Sequence, residues 1–390
     1  MIPLLSIVIP TRNRHDYLKE VISILVRLIS ENLEIVIQDN SDEGSGRESF
    51  VNFTRDLNDK RIKYFYFNGH LSINENSDKA VLNSGGKYVT FIGDDDCVVP
   101  QIINVVEWME KESIEILTFH CPSYIWSDVE YKHLNKTHTG VLTYKKPTGR
   151  ILIRNSGIEL ERLLRRGGQN LKEMPLLYHG IASRSVLNKI FDVTGSFFPG
   201  SVPDMDVAVG LALYSKEFYR IDAPIIIAGT ARRSAGGLGA AKLHKGNVRE
   251  ISTLPKDTAD TWNPHNPFFW SGSTIYADSI YKCLIRTGNE TMLKKFNYNY
   301  LYARLLTFNI EYYKEIMSKI WANKNSSLIM ILAYLFNLNL VRAKFFVKNR
   351  VPYFRFYNDQ RFTLQTITEA VEHLEGVVDN LQMPWNNKSR

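Results

Sequence analysis

Three consecutive carboxylates, Asp94, Asp95 and Asp96, follow the apolar run Tyr88-Val89-Thr90-Phe91-Ile92-Gly93 and precede Cys97-Val98-Val99-Pro100. Side by side they repel one another, and a bound divalent cation would relieve that repulsion. Carboxylate oxygens with few nitrogen or sulfur donors suit Mg2+ or Mn2+, which in turn bind phosphate oxygens. A second acidic pair opens an apolar stretch in Pro203-Asp204-Met205-Asp206-Val207. A carboxylate at a helix start is stabilised by the helix dipole. It serves there as a cap or, when it faces a substrate hydroxyl, as a general base.

Other polar clusters punctuate the same half of the chain. Thr11-Arg12-Asn13-Arg14 closes the apolar run 6–10, and Asp39-Asn40-Ser41-Asp42 closes the run 34–38. Residues 232–245 are rich in Gly, Ala and basic side chains and read as a mobile loop, in which Arg232 and Arg233 could neutralise phosphate. Gly236-Gly237-Leu238-Gly239 lacks the strand and helix that a dinucleotide fingerprint requires. His179 and His244 are each able to ligate a metal or touch phosphate, although a lone histidine more often packs structurally.

The elements that position these clusters alternate. Residues 6–10, 34–38, 62–67 and 88–92 read as strands, and residues 15–29, 46–57 and 77–83 as helices. Such alternation predicts an α/β fold with a doubly wound, mostly parallel sheet. Ligands of such sheets bind outside the carboxyl ends of the strands, where all three clusters of the first hundred residues fall. From 115 to 220 the pattern is less regular, with strands expected at 116–120 and 225–228 and a helix at 207–214. Beyond residue 261 Tyr, Phe, Asn and Leu dominate, which predicts a mainly helical C-terminal region.

Bulk properties narrow the class. A chain of 390 residues with a 44% hydrophobic fraction can bury a sizeable core, and the net charge of +7 is mild. Cys97, Cys121 and Cys283 have neither metal-site nor redox spacing, which suits a reducing compartment. No run reaches the length of a membrane span; the nearest, 327–340, is broken by Asn337 and Asn339. After it, Arg342, Lys344, Lys348, Arg350 and Arg355 alternate with Phe345, Phe346, Tyr353 and Phe354, a pattern that fits either an anionic membrane surface or a packed helix with a solvated basic face. Leu364, Ile367, Val371, Leu374, Val378 and Leu381 form a short heptad seam, suited to packing on the same domain or to oligomerisation through residues 364–381.

The ordered set 6–14, 35–41, 80–86 and 88–96 resembles the nucleotide-binding half of a family-2 glycosyltransferase of the GT-A fold, the bacterial surface-polysaccharide type. The resemblance is good to about residue 120, weaker to about 235, and absent after that. It implies a nucleotide-sugar-binding half at 1–120 and an acceptor-binding half at 121–250, and the composition of the rest adds a helical region at 251–390. It implies that Pro10, Thr11 and Arg14 border the nucleotide and that Asp39 accepts hydrogen bonds from its base or ribose. Asp94 and Asp96, with Asp95 close, would correspond to the family's metal- and diphosphate-binding motif, with His179 as a further metal ligand and Arg233 on the diphosphate. Gly93 stands where the motif's first Asp is usual. Asp204 matches the family's catalytic base, with Asp206 as the alternative. Pro203 stands where some relatives carry Glu.

The expected reaction is therefore inverting transfer of a sugar from a nucleoside-diphosphate sugar, a UDP-sugar by preference, to a glycan or lipid-linked hydroxyl, with Mn2+ or Mg2+ as cofactor. The setting is expected to be bacterial surface polysaccharide synthesis, capsule or lipopolysaccharide, in the cytoplasm or at the inner face of the membrane, without nucleic acid. Two alternatives stand beside it. A nucleotidylyltransferase would carry a Gly-rich basic loop after the first strand, where Pro10-Thr11-Arg12-Asn13 stands. A sugar-nucleotide-binding scaffold without activity would be expected to have lost acids that are present here.

Overall fold

The computed structural model describes residues 2–130, 139–241, 245–350 and 359–386, with the backbone alone at 240, 345–350 and 359. His244, Tyr353, Phe354 and Arg355, and the side chains of Phe345, Phe346, Lys348 and Arg350, lie outside the described set.

The first half runs β1 (Leu5–Thr11), α1 (His15–Leu25), β2 (Leu33–Asp39), α2 (Arg47–Leu57), β3 (Ile62–Tyr66), α3 (Ile73–Leu82), β4 (Tyr88–Phe91), β5 (Cys97–Val98), α4 (Ile102–Lys111), β6 (Ile116–Phe119), β7 (Ser123–Ile125), β8 (Val141–Lys145), β9 (Ile151–Asn155) and α5 (Ser156–Arg165). The second runs β10 (Gly180–Ser183), α6 (Arg184–Thr194), α7 (Pro203–Tyr214), β11 (Glu217–Ile221), β12 (Ile226–Thr230), α8 (Ala235–Ala240), α9 (Gly272–Arg286), α10 (Tyr298–Phe308), α11 (Tyr313–Ala322), α12 (Leu328–Arg350), β13 (Asp359–Thr363) and α13 (Ile367–Asp379).

The main sheet has the order β3-β2-β1-β4-β10-β6-β11-β9. Strands β3, β2, β1 and β4 are parallel, and β10 enters antiparallel between β4 and β6. Because helices cover both faces, the middle of β1, Ile7-Val8-Ile9, is apolar on both sides. Ile7 and Ile9 enter the core shared with α1, α4 and α13, while Val8 enters the opposite core with α3, α6 and α7. A second sheet, β13-β8-β7-β12-β5, was not anticipated.

Helix α7 is buried nearly all round because it separates two cores. Val207 and Leu211 face the sheet, whereas Met205, Ala208, Val209 and Ala212 face α5, α9 and α10. At Gly210 a Cβ would come within 2.8 Å of Ile190 Cδ1, so glycine lets α6 approach. Helices α9–α12 share the second of these cores with α5 and α7.

Two expectations are corrected here. The loop at 232–245 contains helix α8, capped by Ser234, whose hydroxyl accepts from Gly237 N. The heptad seam of α13 is not free to pair with another copy. Ile367, Val371, Leu374 and Val378 are buried in the core that holds α1 and β5, where they complete this fold instead.

Candidate functional site

The carboxyl ends of β1 and β4 lie side by side, which brings Thr11 and Arg14 to the acidic turn. Thr11 Oγ1 donates to Asp94 Oδ2 at 2.6 Å. Arg14 Nη2 stands 2.8 Å from Asp94 Oδ1 and its Nη1 3.8 Å from Asp95 Oδ1. Arg14 is thus the cation that offsets the cluster.

The three carboxylates have different duties. Asp96 accepts from Gly93 N at 2.6 Å and Gly229 N at 2.7 Å, and its Oδ2 lies 2.7 Å from His179 Nε2. Burial pushes the Asp96 carboxyl up, but His179 and the two amides outweigh it and hold it below the usual range. Gly229 is required for this approach, since a Cβ there would fall 1.7 Å from Asp95 O. Asp96 therefore anchors the turn to β12, and both of its oxygens are engaged by this chain's own donors. Asp95 accepts through Oδ2 from Ala231 N at 2.9 Å, leaving Oδ1 turned toward Arg14. Burial, reinforced by Asp96 and Asp94, pushes Asp95 up to about 7 against the pull of Arg14. Burial likewise raises Asp94 despite Arg14 and Thr11.

Asn74 Oδ1 and Asn76 Oδ1, on the first turn of α3, are buried acceptors without a hydrogen bond. Such orphans call for a bound cation, water or donor group. Asp94 and Asp95 fit a divalent cation by the chemistry of their donors: they are hard carboxylate oxygens, and each engaged oxygen accepts from a single donor and keeps a second lone pair. Among the described residues no three His, Cys, Asp or Glu side chains group as a complete metal cage. A cation here would draw its remaining ligands from phosphate or water.

His179 adopts φ +62, a left-handed conformation that a non-glycine residue occupies at a cost. Its amide donates to Phe91 O at 3.1 Å, which ties it to the end of β4. Its Nε2 meets Asp96, so the ring supports that carboxylate.

Asp204 is half-buried in the first turn of α7, where no side chain caps the helix. Its Oδ2 accepts from Tyr276 Oη at 2.6 Å and its Oδ1 from Met205 N at 2.9 Å. Burial raises its pKa against these donors, and the His179 side chain is near enough to act on its charge. Asp206 is a different case. It is fully buried, accepts from Asn74 Nδ2 at 2.7 Å, and faces Gly200, where a Cβ would collide with Oδ1. Burial drives its pKa well up. An enclosed carboxyl cannot reach an acceptor hydroxyl, so the alternative base is withdrawn.

Two nucleotide contacts are also revised. Asp39 is fully buried; its oxygens meet His15 Nε2 and Tyr64 Oη, both at 2.7 Å, and Ser41 N at 2.8 Å. It braces the loop after β2 and presents no exposed oxygen to a base. Arg233 is paired with Asp16, donates to Asn13 O at 2.9 Å and lies over the Tyr17 ring, so it closes on the start of α1 and not on the acidic turn. Pro10 is half-buried at the end of β1. Tyr178, Tyr276, Asn74 and Asn76 were not foreseen. Each lies far in sequence from the group it serves, so no local spacing announces it.

The fold is an α/β sheet of GT-A type, with an acidic turn at its strand ends and a carboxylate at a helix start. Residues 6–201, half of the chain, match glycosyl transferase family 2, and the chain belongs to that family. It is 32% identical over 95 residues to the GalNAc(5)-diNAcBac-PP-undecaprenol beta-1,3-glucosyltransferase of Campylobacter jejuni. That match spans 24% of this chain and 30% of the relative's length. Among solved structures it is similar to S. aureus TarS 1-349 in complex with UDP-GlcNAc, with 12% identity, a TM-score of 0.43 and coverage of 81% of this chain and 88% of that one. It is also similar to the mannosyltransferase PcManGT from Pyrobaculum calidifontis in complex with GDP-Man and Mn2+, with 11% identity, a TM-score of 0.42 and coverage of 97% and 86%.

Proposed function

We propose that this protein is an inverting glycosyltransferase that moves a sugar from a nucleoside-diphosphate sugar to a hydroxyl of a lipid-linked or free glycan. The observation that carries the reading is that His179 stands between two acidic groups: its Nε2 meets Asp96 of the turn that holds Asp94 and Asp95 beside Arg14, and its ring acts on the charge of Asp204 at the start of α7. Residues 1–120 would hold the donor and residues 121–250, with helix α9, the acceptor.

Mn2+ or Mg2+, held by Asp94 and Asp95, would supply charge stabilisation for the departing diphosphate. Arg14 adds a fixed positive charge on the same side. Asp204 takes the proton of the acceptor hydroxyl as that oxygen attacks the anomeric carbon, and its raised pKa makes it a better base than an exposed aspartate. Tyr276 Oη and Met205 N each hold one Asp204 oxygen and so fix the carboxylate plane, and the remaining lone pair of an oxygen takes the proton. Asp96 and His179 position the acidic turn without touching the reacting atoms. A UDP-sugar is favoured as donor. The similar glucosyltransferase, named for an undecaprenol-linked glycan, supports a lipid-linked acceptor; the setting proposed with it is surface polysaccharide synthesis at the inner face of the membrane.

The test is a panel of sugar nucleotides incubated with protein and Mn2+, with nucleoside diphosphate release as the readout. Release that depends on the cation and is lost in Asp95→Ala supports the reading. No binding or release with any donor sinks it.

A further inference from the structure

Large apolar side chains are concentrated on the outer surface of α11 and α12. Ile329, Leu332, Phe336 and Leu340 are 80%, 63%, 71% and 43% exposed. They are spaced three, four and four residues apart, so they form one row along α12. Leu328, Met330 and Val341 flank the row, and Trp321 stands exposed at the end of α11. The other face of α12 is already used: Ile331, Tyr334, Leu335 and Leu338 pack into the core with α10. An outward apolar row of this size marks a contact surface.

The charge around it is one-sided. From residue 316 to residue 350 the sequence contains no Asp or Glu, while Lys319, Lys324, Arg342, Lys344, Lys348 and Arg350 are basic. Lys324 precedes the row, and Lys344 follows Leu340 by one turn in the same row; both are exposed. A second copy on this face would set cation against cation. An anionic lipid surface matches both the apolar row and the basic ends. The span from Leu328 to Val341 is about 20 Å at the helical rise, short of the ~30 Å hydrocarbon core. Among the described residues no helix is long and apolar enough to cross a membrane.

We propose that the outer face of α12, with Trp321, docks in the plane of an anionic bilayer surface, its apolar row entering the acyl boundary and its lysines meeting the headgroup phosphates. The proposal is independent of the catalytic reading and is tested without a sugar donor. The full chain is sedimented with vesicles of phosphatidylglycerol and phosphatidylcholine, and with vesicles of phosphatidylcholine alone. The wild type should pellet with the mixed vesicles, and high salt should weaken that binding. Ile329→Asp with Phe336→Asp should abolish it while leaving the melting temperature unchanged, because both side chains face outward. Lys324→Gln with Lys344→Gln should weaken binding to the anionic vesicles roughly 10-fold and leave that to neutral vesicles unaltered. Failure of the wild type to pellet, or equal pelleting of the Asp double variant, overturns the proposal. So does a wild-type dimer in solution that the Asp variant converts to monomer without any lipid binding, which would assign the face to a second copy.

Discussion

The hydroxyl of Tyr178 occupies the space in which a side chain at residue 93 would begin. A Cβ on Gly93 would lie 2.8 Å from Tyr178 Oη and 3.0 Å from Asp96 Oδ2. Tyr178 is held there by a bridge to Phe91. The glycine in the acidic motif is therefore matched to the tyrosine. Gly93→Ala should destabilise the fold by about 1–3 kcal/mol, the usual cost of overpacking. Tyr178→Phe in the same chain should recover part of the loss. Denaturant unfolding of the four proteins measures this, and strictly additive losses would show that the two residues are not coupled.

Asp95 and Asp96 should separate cleanly. Asp95→Ala is expected to lose Mn2+-dependent donor binding while unfolding near the wild-type temperature. Asp96→Asn removes the charge that serves two amides and His179, and should cost about 3–5 kcal/mol, as breaking a buried pair does. Donor titration calorimetry and thermal melts on both variants check this. Equal melting temperatures would remove the anchoring role from Asp96.

Asp204→Asn should reduce kcat by about 10²–10⁴-fold, the usual contribution of general-base catalysis, and leave donor affinity intact. Tyr276→Phe should produce a smaller loss and shift the acidic limb of the pH–rate profile upward, because a donor that lowers the Asp204 pKa is gone. Single-turnover rates across pH decide it. Undiminished transfer in Asp204→Asn would place the base elsewhere.

The His15–Asp39 pair sets a pH window for stability. The bond to Asp39 raises the His15 pKa above 6.5 against its burial, so its contribution is full below that value and fades as pH rises through the folded pKa. His15, Ser41 and Tyr64 lower the Asp39 pKa below 3.8 against its burial, so that contribution is full above 3.8 and fades as pH falls through the folded pKa. The pair therefore contributes most between about pH 4 and pH 6.5. The melting-temperature difference between wild type and His15→Gln should be largest in that interval and shrink at pH 8. A difference that is flat with pH would refute it.

Leu374 tests the fate of the heptad seam. It is fully buried against this chain's own core. Leu374→Ala should cost about 2–5 kcal/mol and leave the sedimentation coefficient unaltered. A change in mass without loss of stability would return the seam to an oligomer interface.

Much of the donor half was legible because its signals are local. Parallel strands buried on both faces read as apolar runs, and each ends in the polar turn that forms the site. Asp204 was legible too, because a proline and an acid before an apolar run mark a helix start. What could not be read depends on contacts between distant residues. Asp96 serves Gly229, 133 residues away, and Asp206 is enclosed by Asn74, 132 residues away. Nothing near either aspartate distinguishes an anchored carboxyl from a presented one. The second sheet was missed for the same reason: β7, β8, β12 and β13 are short, and β13 pairs with β8 across more than two hundred residues.

That last pairing bears on how the protein is made. Strand β13 closes the second sheet, and α13, Met383 and Trp385 fill the core beneath β1. The apolar surface around the acidic turn thus stays incomplete until residues 359–385 have left the ribosome. At roughly 5–20 residues per second, that surface stays open for most of the time the chain takes to be made.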